Sequence, residues 1–365
     1  MKTMKAVVVN AIKEYSVEEV TLDPPKAGEL LVKMKATGVC RSDLSVINGT
    51  IPMQTPIVIG HEGAGIVEEV GEGVTQFEIG DHVVLSFVPF CGECNDCHNH
   101  RHNMCTAGSA AQGKMIDGTT RVHRGDEDLQ VMTLLGCMAE YVVCPSISAV
   151  KIAKDIPLDK AALVGCGVMT GVGAAINTAK VEPGSSVAVF GCGGIGLSII
   201  QGARLAGAGQ IIAVDLSDNK LEMAAKFGAT HLVNGGVDDA VAKVQELTGG
   251  GADYAFEAVG VPALMEQAYN AVRRAGTAVV VGVGKVTDSM QLNALMISLS
   301  GKTLKGSMYG DANPPVDFPK LLNLYQDGKL NLDDMVSNTY SIDEVKKAFD
   351  DMEDNVNARG VIVFD

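Results

Sequence analysis

Residues 185–206 read SSVAVFGCGGIGLSIIQGARLA, and their order decides the fold. The apolar run 187–190 predicts a buried strand. Gly191-Cys192-Gly193-Gly194-Ile195-Gly196 follows at once, and 195–206 carries a helical period. A bare GxGxxG is common in tight turns. Between a strand and a helix it acquires a mechanism, because the glycines let the backbone approach a pyrophosphate held at the positive N-terminal end of the helix. The next predicted strand, 211–214, ends at Asp215, placed to accept hydrogen bonds from the hydroxyls of an adenosine ribose. A carboxylate there repels a 2′-phosphate, so the pattern favours NAD over NADP. Lys220 is either a second ribose contact or an ordinary solvated lysine.

Outward from this motif the same texture continues. Strand candidates at 187–190, 211–214, 231–233, 254–257, 278–283 and 303–305 alternate with helix candidates at 195–206, 220–227, 239–247 and 263–273, each stopped by glycine. That alternation builds a doubly wound parallel sheet covered by helices. Upstream the texture differs: short β segments at 5–9, 30–36, 66–70, 82–87 and 141–144, broken by Gly and Pro, predict an irregular, mostly-β domain. After Met308 the alternation ends. Asn313-Pro314-Pro315 marks a boundary, followed by amphipathic helices at 318–325 and 342–352, the second with a Ser341/Glu344 capping box, and a final strand at 361–364. A helix pair with one strand is too little to fold alone, so this tail returns to the first domain. The expected organisation is an α/β protein with one domain from 1–167 and 310–365 and a dinucleotide-binding domain from 168–309.

Bulk composition excludes several function classes. The 365 residues carry 29 Lys plus Arg against 44 Asp plus Glu, a formal charge of −15, which repels a polyanion and argues against nucleic acid as a partner. No apolar run approaches the roughly 18 residues of a membrane span. The apolar stretch 6–9 is cut short by Asn10 and Lys13, so no secretory leader is predicted. A cytoplasmic setting follows, where thiols stay reduced. The nine cysteines are therefore read as metal ligands, nucleophiles or buried apolar residues before disulfides.

Four of them, Cys91, Cys94, Cys97 and Cys105, fall within fifteen residues with the spacing C-x2-C-x2-C-x7-C. Closed all-thiolate coordination is the signature of structural zinc. A redox Cys-x-x-Cys lacks its expected βαβ context here, and disulfides suit the compartment poorly. His98, His100 and His102 are expected to be exposed residues of the same polar loop.

Cys40, His61, Glu62 and Cys166 stand apart in sequence, and spacing alone leaves each open between core residue and metal ligand. Taken in order, however, Gly38-Val39-Cys40-Arg41-Ser42-Asp43, Gly60-His61-Glu62-Gly63-Ala64-Gly65, the cysteine quartet, Gly165-Cys166-Gly167 and the 191–196 turn closely resemble the zinc-containing medium-chain alcohol dehydrogenases. The likeness runs essentially end to end. It implies a GroES-like catalytic domain joined to a Rossmann domain, two zinc ions per subunit, and NAD. By the resemblance, Cys40, His61 and Cys166 hold the catalytic zinc and leave one position for substrate or water. Glu62 beside them either binds zinc transiently or tunes its charge, and Asp43 fixes the tautomer of His61. Arg41 and Arg359 match positions that neutralise the NAD pyrophosphate, while Thr170 and Val283 match positions near the nicotinamide.

The implied chemistry is hydride transfer between a zinc-bound primary alcohol or aldehyde and nicotinamide, with the alcohol proton leaving through Ser42 and the nicotinamide ribose. One departure matters: where a histidine often ends this relay stands Ser45, which cannot act as a terminal base near neutral pH. Water or a distant group is then expected to take the proton. The resemblance lines the substrate cleft with Phe87, Leu134, Leu135, Val283 and Met308, beside Ser42. That apolar, roomy lining favours medium-chain aliphatic, terpenoid or aromatic primary alcohols over ethanol. Relatives that oxidise S-hydroxymethylglutathione carry an arginine where this chain has Ser109, which ranks that activity second. Similarity to bacterial members that keep their nicotinamide permanently bound raises a third possibility. The long stretch between Cys105 and Cys166, including Asp117-Gly118-Thr119-Thr120-Arg121, resembles the dimeric branch and predicts a homodimer. A non-catalytic zinc and nucleotide binder is the rival from a different class, and retention of all three open-site ligands argues against it.

Overall fold

The structure, a computed structural model, describes residues 1–108 and 113–365, so Ser109 lies outside the described residues. The chain divides into two compact units, Met1–Cys166 with Asn313–Asp365, and Gly167–Ala312.

In the first unit, Lys2–Ala11 shows why strand period matters. Val7 and Val9 point into one apolar cluster and Ala6 and Val8 into another, so a single strand divides two cores. It pairs along nearly its whole length with Glu14–Leu22 and closes a small barrel with Val122–Arg124, Glu127–Val131 and Ile57–Val58. The strand Glu14–Leu22 was not anticipated, because consecutive acids at Glu18 and Glu19 interrupt its apolar alternation. The other sheet runs in the order Ala149–Ile152, His82–Leu85, Gly63–Val70, Glu29–Gly38, Arg359–Val363, Val336–Tyr340, with Tyr141–Pro145 also pairing to Glu29–Gly38. Glu29–Gly38 is thus the hub, and it ends two residues before Cys40.

The tail carries two strands where one was expected. Val336–Tyr340 is polar (VSNTY) yet runs parallel to Arg359–Val363, which in turn pairs antiparallel with Glu29–Gly38. The helix expected at 318–325 spans Pro314–Gln326, because proline is tolerated in a first turn whose N–H groups have no helical acceptor. The Ser341/Glu344 capping box is present, with the Ser341 N–H donating to the Glu344 carboxylate at 2.9 Å. Arg121, 1% exposed, pairs with Glu29 at 2.6 Å and Asp117 at 2.9 Å and so pins the 117–121 segment to the start of the hub strand.

The second unit is a six-stranded parallel sheet in the order His231–Asn234, Gln210–Asp215, Ser186–Phe190, Ala252–Glu257, Val272–Val280, Thr303–Gly306. In sequence order this is 3-2-1-4-5-6, and the direction of winding switches between Ser186–Phe190 and Ala252–Glu257. A crevice at the carboxyl ends of those two strands is the ligand position of such folds. One boundary differs from expectation: the helix stops at Ala271, and Val272, in register with Ala252, begins a strand that ends at Val280. Arg273 is therefore a strand residue, and Val283 lies past the strand.

Candidate active site

In the first unit the hub strand delivers Cys40 to the N-terminus of the helix Arg41–Ile47. Asp43, in the first turn, is fully buried and organises three groups. Its Oδ2 accepts the Cys40 N–H at 3.2 Å, while Oδ1 accepts the Gly60 N–H at 3.1 Å and faces His61 Nδ1 at 3.0 Å. A neutral His61 donating from Nδ1 to Asp43 would leave Nε2 available to a metal ion. Gly60 has φ +101°, and a Cβ there would overlap the Met138 backbone, so only glycine fits ahead of His61. Cys166 closes the short turn Ala162–Gly165, which rests against the strand His82–Leu85. One ligand atom from each of Cys40, His61, Glu62 and Cys166 lies within 4.8 Å of every other, and all four residues are buried. The resemblance grouped these dispersed residues, and the fold brings them together.

The electrostatics of this cluster suit a cation. Hydrogen bonding from Cys166 holds the Cys40 thiol well below the ordinary thiol range against its burial, with His61 and Arg359 helping, while Cys166 is pushed well up by the same bond. Glu62 is pushed up to about 7 by burial, with Arg359 pulling the other way. Arg359 Nη2 donates to the Glu62 carboxylate and, at 3.2 Å, to the Val39 carbonyl. This placement was not foreseen: that edge of the guanidinium is committed inside the pocket, which leaves only its remaining donors for a pyrophosphate. Arg41 is exposed, and Ser42 and Ser45 are half-buried on the same helix.

Phe87 packs edge-on to the His61 ring, centroids 5.6 Å apart. Leu134 and Leu135 are buried in the same unit, and Thr133 and Leu134 hold left-handed backbone at φ +53° and +66°, a cost that local packing must offset. The other two pocket candidates, Val283 and Met308, belong to the second unit, and Val283 is 68% exposed.

The quartet also converges: Cys91, Cys94, Cys97 and Cys105 offer sulfurs within 4.8 Å of one another. Backbone N–H groups point at these sulfurs. Cys91 Sγ accepts from Cys94 N at 3.3 Å and Glu93 N at 3.4 Å, and Cys94 Sγ from Cys97 N at 3.4 Å. N–H bonds from Thr106 and Cys97 bring the Cys94 thiol down to about 5, whereas burial pushes Cys97 up to about 12. The donor set fits one tetrahedral thiolate-bound ion. His98 and His100 are exposed as expected. His102 is not: its ring packs against Phe90 at 4.7 Å, and burial lowers its pKa.

In the second unit the glycine-rich turn joins Ser186–Phe190 to the helix Gly194–Leu205. A Cβ on Gly191 (φ +95°) would overlap Val259, and one on Gly196 would overlap the Gly191 carbonyl, whereas one on Gly193 meets only open space. Two glycines thus serve packing and the third leaves room at the helix N-terminus for a phosphate. Asp215 accepts from Cys192 N at 2.8 Å and Ser217 N at 3.1 Å, so it braces the turn while retaining lone pairs for a ribose. Lys220 is half-buried and Thr170 is buried in the helix Gly167–Gly173. Sequence reasoning missed Glu257, whose Oε1 accepts from Val259, Gly260 and Val261 N at 2.9, 2.6 and 3.3 Å and shapes the turn across the switch point. An acid ending an apolar strand just ahead of a glycine was the available signal.

A buried cluster of two thiols, an imidazole and a carboxylate able to meet on one ion, a closed thiolate cluster and a phosphate-binding turn define a metal- and dinucleotide-dependent oxidoreductase. Residues 26–154 match the family described as Alcohol dehydrogenase GroES-like domain, and residues 194–327 match Zinc-binding dehydrogenase. The chain is 43% identical to the NDMA-dependent alcohol dehydrogenase of Amycolatopsis methanolica, over 100% of this chain and 99% of the relative. It is 40% identical to the S-(hydroxymethyl)glutathione dehydrogenase of Paracoccus denitrificans, over all of both chains. Benzyl alcohol dehydrogenase from Acinetobacter calcoaceticus superposes with a TM-score of 0.95 at 34% identity, covering 100% of each chain. The protein therefore belongs to the zinc-containing medium-chain alcohol dehydrogenase family. It is an alcohol dehydrogenase that uses zinc and NAD on small alcohols or aldehydes.

Proposed function

We propose that the enzyme oxidises medium-chain aliphatic, terpenoid or aromatic primary alcohols, or reduces the matching aldehydes, with Cys40, His61 and Cys166 as ligands of the catalytic zinc and the Cys91–Cys94–Cys97–Cys105 lobe as structural. The observation that carries the substrate class is the apolar side-chain set on the metal-bearing unit, above all Phe87 lying edge-on to His61. Zinc held there supplies Lewis acidity to an alcohol or carbonyl oxygen, and NAD supplies the hydride acceptor or donor.

The chain's own residues do the rest. Asp43 holds His61 in one tautomer and orientation, and through the Cys40 N–H it fixes the turn that carries the first thiolate. Arg359 balances the charge of Glu62 and the thiolates. Ser42 Oγ would take the alcohol proton and pass it on through the nicotinamide ribose, and because Ser45 cannot act as a terminal base, water or a distant group receives it. Gly193 and the helix N-terminus bind the pyrophosphate, Asp215 the ribose with Lys220 as a second contact, and Thr170 and Val283 the nicotinamide end. Arg41 and the remaining donors of Arg359 add positive charge for the phosphates. Leu134 and Leu135 extend the apolar set of the metal-bearing unit, and Met308 is the apolar candidate carried by the nucleotide-binding unit.

Two further readings are supported separately. The exposed edge strand Thr303–Gly306 and the neighbouring helix Ala294–Ser300, with Leu295, Ile297 and Leu299 exposed, suit a homodimer joined through the nucleotide-binding units. Nine unpaired cysteines suit the cytoplasm, and among the described residues no single helix is long and apolar enough to cross a membrane. A second functional reading, NAD retained permanently and recycled in place, draws on the relative named for its NDMA dependence.

The test is a panel of ethanol, aliphatic, terpenoid and benzylic alcohols and S-hydroxymethylglutathione, each assayed with NAD and NADP. Highest kcat/KM on the larger apolar alcohols with NAD is the expected result. A preference for S-hydroxymethylglutathione overturns it, and cofactor that survives gel filtration moves the assignment to the second reading.

A further inference from the structure

The Glu62 carboxylate has two places to be. One of its oxygens lies within 4.8 Å of the donor atoms of Cys40, His61 and Cys166, close enough to join them on one ion. Yet the same carboxylate is paired with Arg359 Nη2. What lets it take that second position is a missing side chain. Gly38, the last residue of the hub strand, donates its N–H to the Glu62 carbonyl at 2.9 Å, so the two residues are immediate neighbours. A Cβ on Gly38 would overlap Glu62 Oε2, and would lie 3.1 Å from Cδ and 3.2 Å from Arg359 Nη2. Gly38 does not need glycine for its backbone, since its φ is not in the left-handed region that excludes other residues. Its lack of a side chain therefore serves space, and the space is filled by the carboxylate and the guanidinium.

We propose that Gly38 is a positioning residue that keeps Glu62 on Arg359 and off the metal, preserving a three-donor site with one open position. The inference rests on the metal assignment above. Any side chain at residue 38 evicts the carboxylate from its slot. Arg359 cannot follow freely, because Nη2 is also tied to the Val39 carbonyl at 3.2 Å. The same carboxylate already lies within reach of the Cys40, His61 and Cys166 donors, so the displaced group is expected to move onto the ion and close the open position.

The experiment uses the full-length enzyme with cobalt(II) exchanged for zinc and imidazole as a probe of the open position. Thiolate-to-cobalt absorption that is present in the parent and reduced in Cys166→Ser establishes the metal assignment by itself. If that difference is absent, the metal assignment fails whatever happens at Gly38. With it in hand, Gly38→Ala is expected to shift the cobalt d–d bands and weaken imidazole binding by about tenfold or more, the scale on which ligand-supporting contacts act. Gly38→Ala/Glu62→Gln is expected to restore both. Unchanged bands and imidazole affinity in Gly38→Ala, or no recovery in the double variant, overturn the proposal. Should Gly38→Ala fail to fold, Glu62→Gln alone decides: the parent spectrum is expected to survive, because the carboxylate is not a ligand, and loss of a carboxylate ligand in that variant refutes the idea.

Discussion

The two sulfur-rich clusters of the first unit are built by opposite means. The quartet is local: four cysteines within fifteen residues, two half-buried and two buried, each sulfur served by backbone N–H groups of its own loop. The Cys40–His61–Cys166 cluster is assembled from distant segments, is buried, and is surrounded by side-chain charges, Asp43, Glu62 and Arg359. Backbone amides suffice where thiolates only need to be stabilised and the coordination is closed. In the buried cluster, side-chain carboxylates and a guanidinium supply the surrounding charge that the backbone supplies in the quartet. On the proposed assignment, the difference between the clusters is a difference between holding an ion and using one.

That contrast can be broken most directly at Cys166. Cys166→Ser should leave one zinc per subunit instead of the two that the clusters predict and lower alcohol oxidation by about a thousandfold or more, matching several kcal/mol of lost Lewis-acid stabilisation. Zinc analysis beside turnover checks it, and a variant with two ions and near-parental rate ends the distinction.

Cys97→Ser should act in the other sense. The thermal midpoint of the first unit is expected to fall by roughly 5–10 °C, the shift that about 2–3 kcal/mol makes in a unit of this size, with kcat per folded molecule nearly unchanged. Calorimetry with active-site titration separates the two terms. A loss of kcat without a loss of stability would mean that the lobe takes part in chemistry.

The smallest effect is expected at the proton exit, a demand that only the open cluster faces. Ser45→His should add an inflection to the pH profile of alcohol oxidation near the histidine range, about pH 6.5, and reduce its dependence on buffer concentration. An identical profile and buffer dependence in the variant would overturn the reading that water or a distant group takes the proton in place of a terminal histidine.

Legibility in the sequence followed the same divide. The quartet and the glycine-rich turn are written in consecutive residues, and spacing with local period was enough to read them. Cys40, His61 and Cys166 share no spacing, and only the order of their flanking glycine motifs, as a resemblance, joined them. Arg359 was legible as a functional residue but not in its place: nothing local says that a strand 297 residues beyond Glu62 will carry a guanidinium into the pocket. The strands Glu14–Leu22 and Val336–Tyr340 escaped for a simpler reason, since their polar residues conceal a partner-imposed extended backbone. Glu257 was read only as the end of a strand, because its work is done through three backbone amides that follow it.

The nesting of one unit inside the other sets a timetable. During synthesis Cys40, His61 and Cys166 all emerge before the whole of Gly167–Ala312, and Arg359 emerges only after it. A nascent chain therefore displays both thiols and the Glu62 carboxylate before Arg359 exists to pair with it, while an entire intervening sheet is being translated. On the proposed metal assignment, zinc captured in that interval would meet the Glu62 carboxylate before Arg359 does, and the arrival of Arg359 would be the event that frees the fourth coordination position.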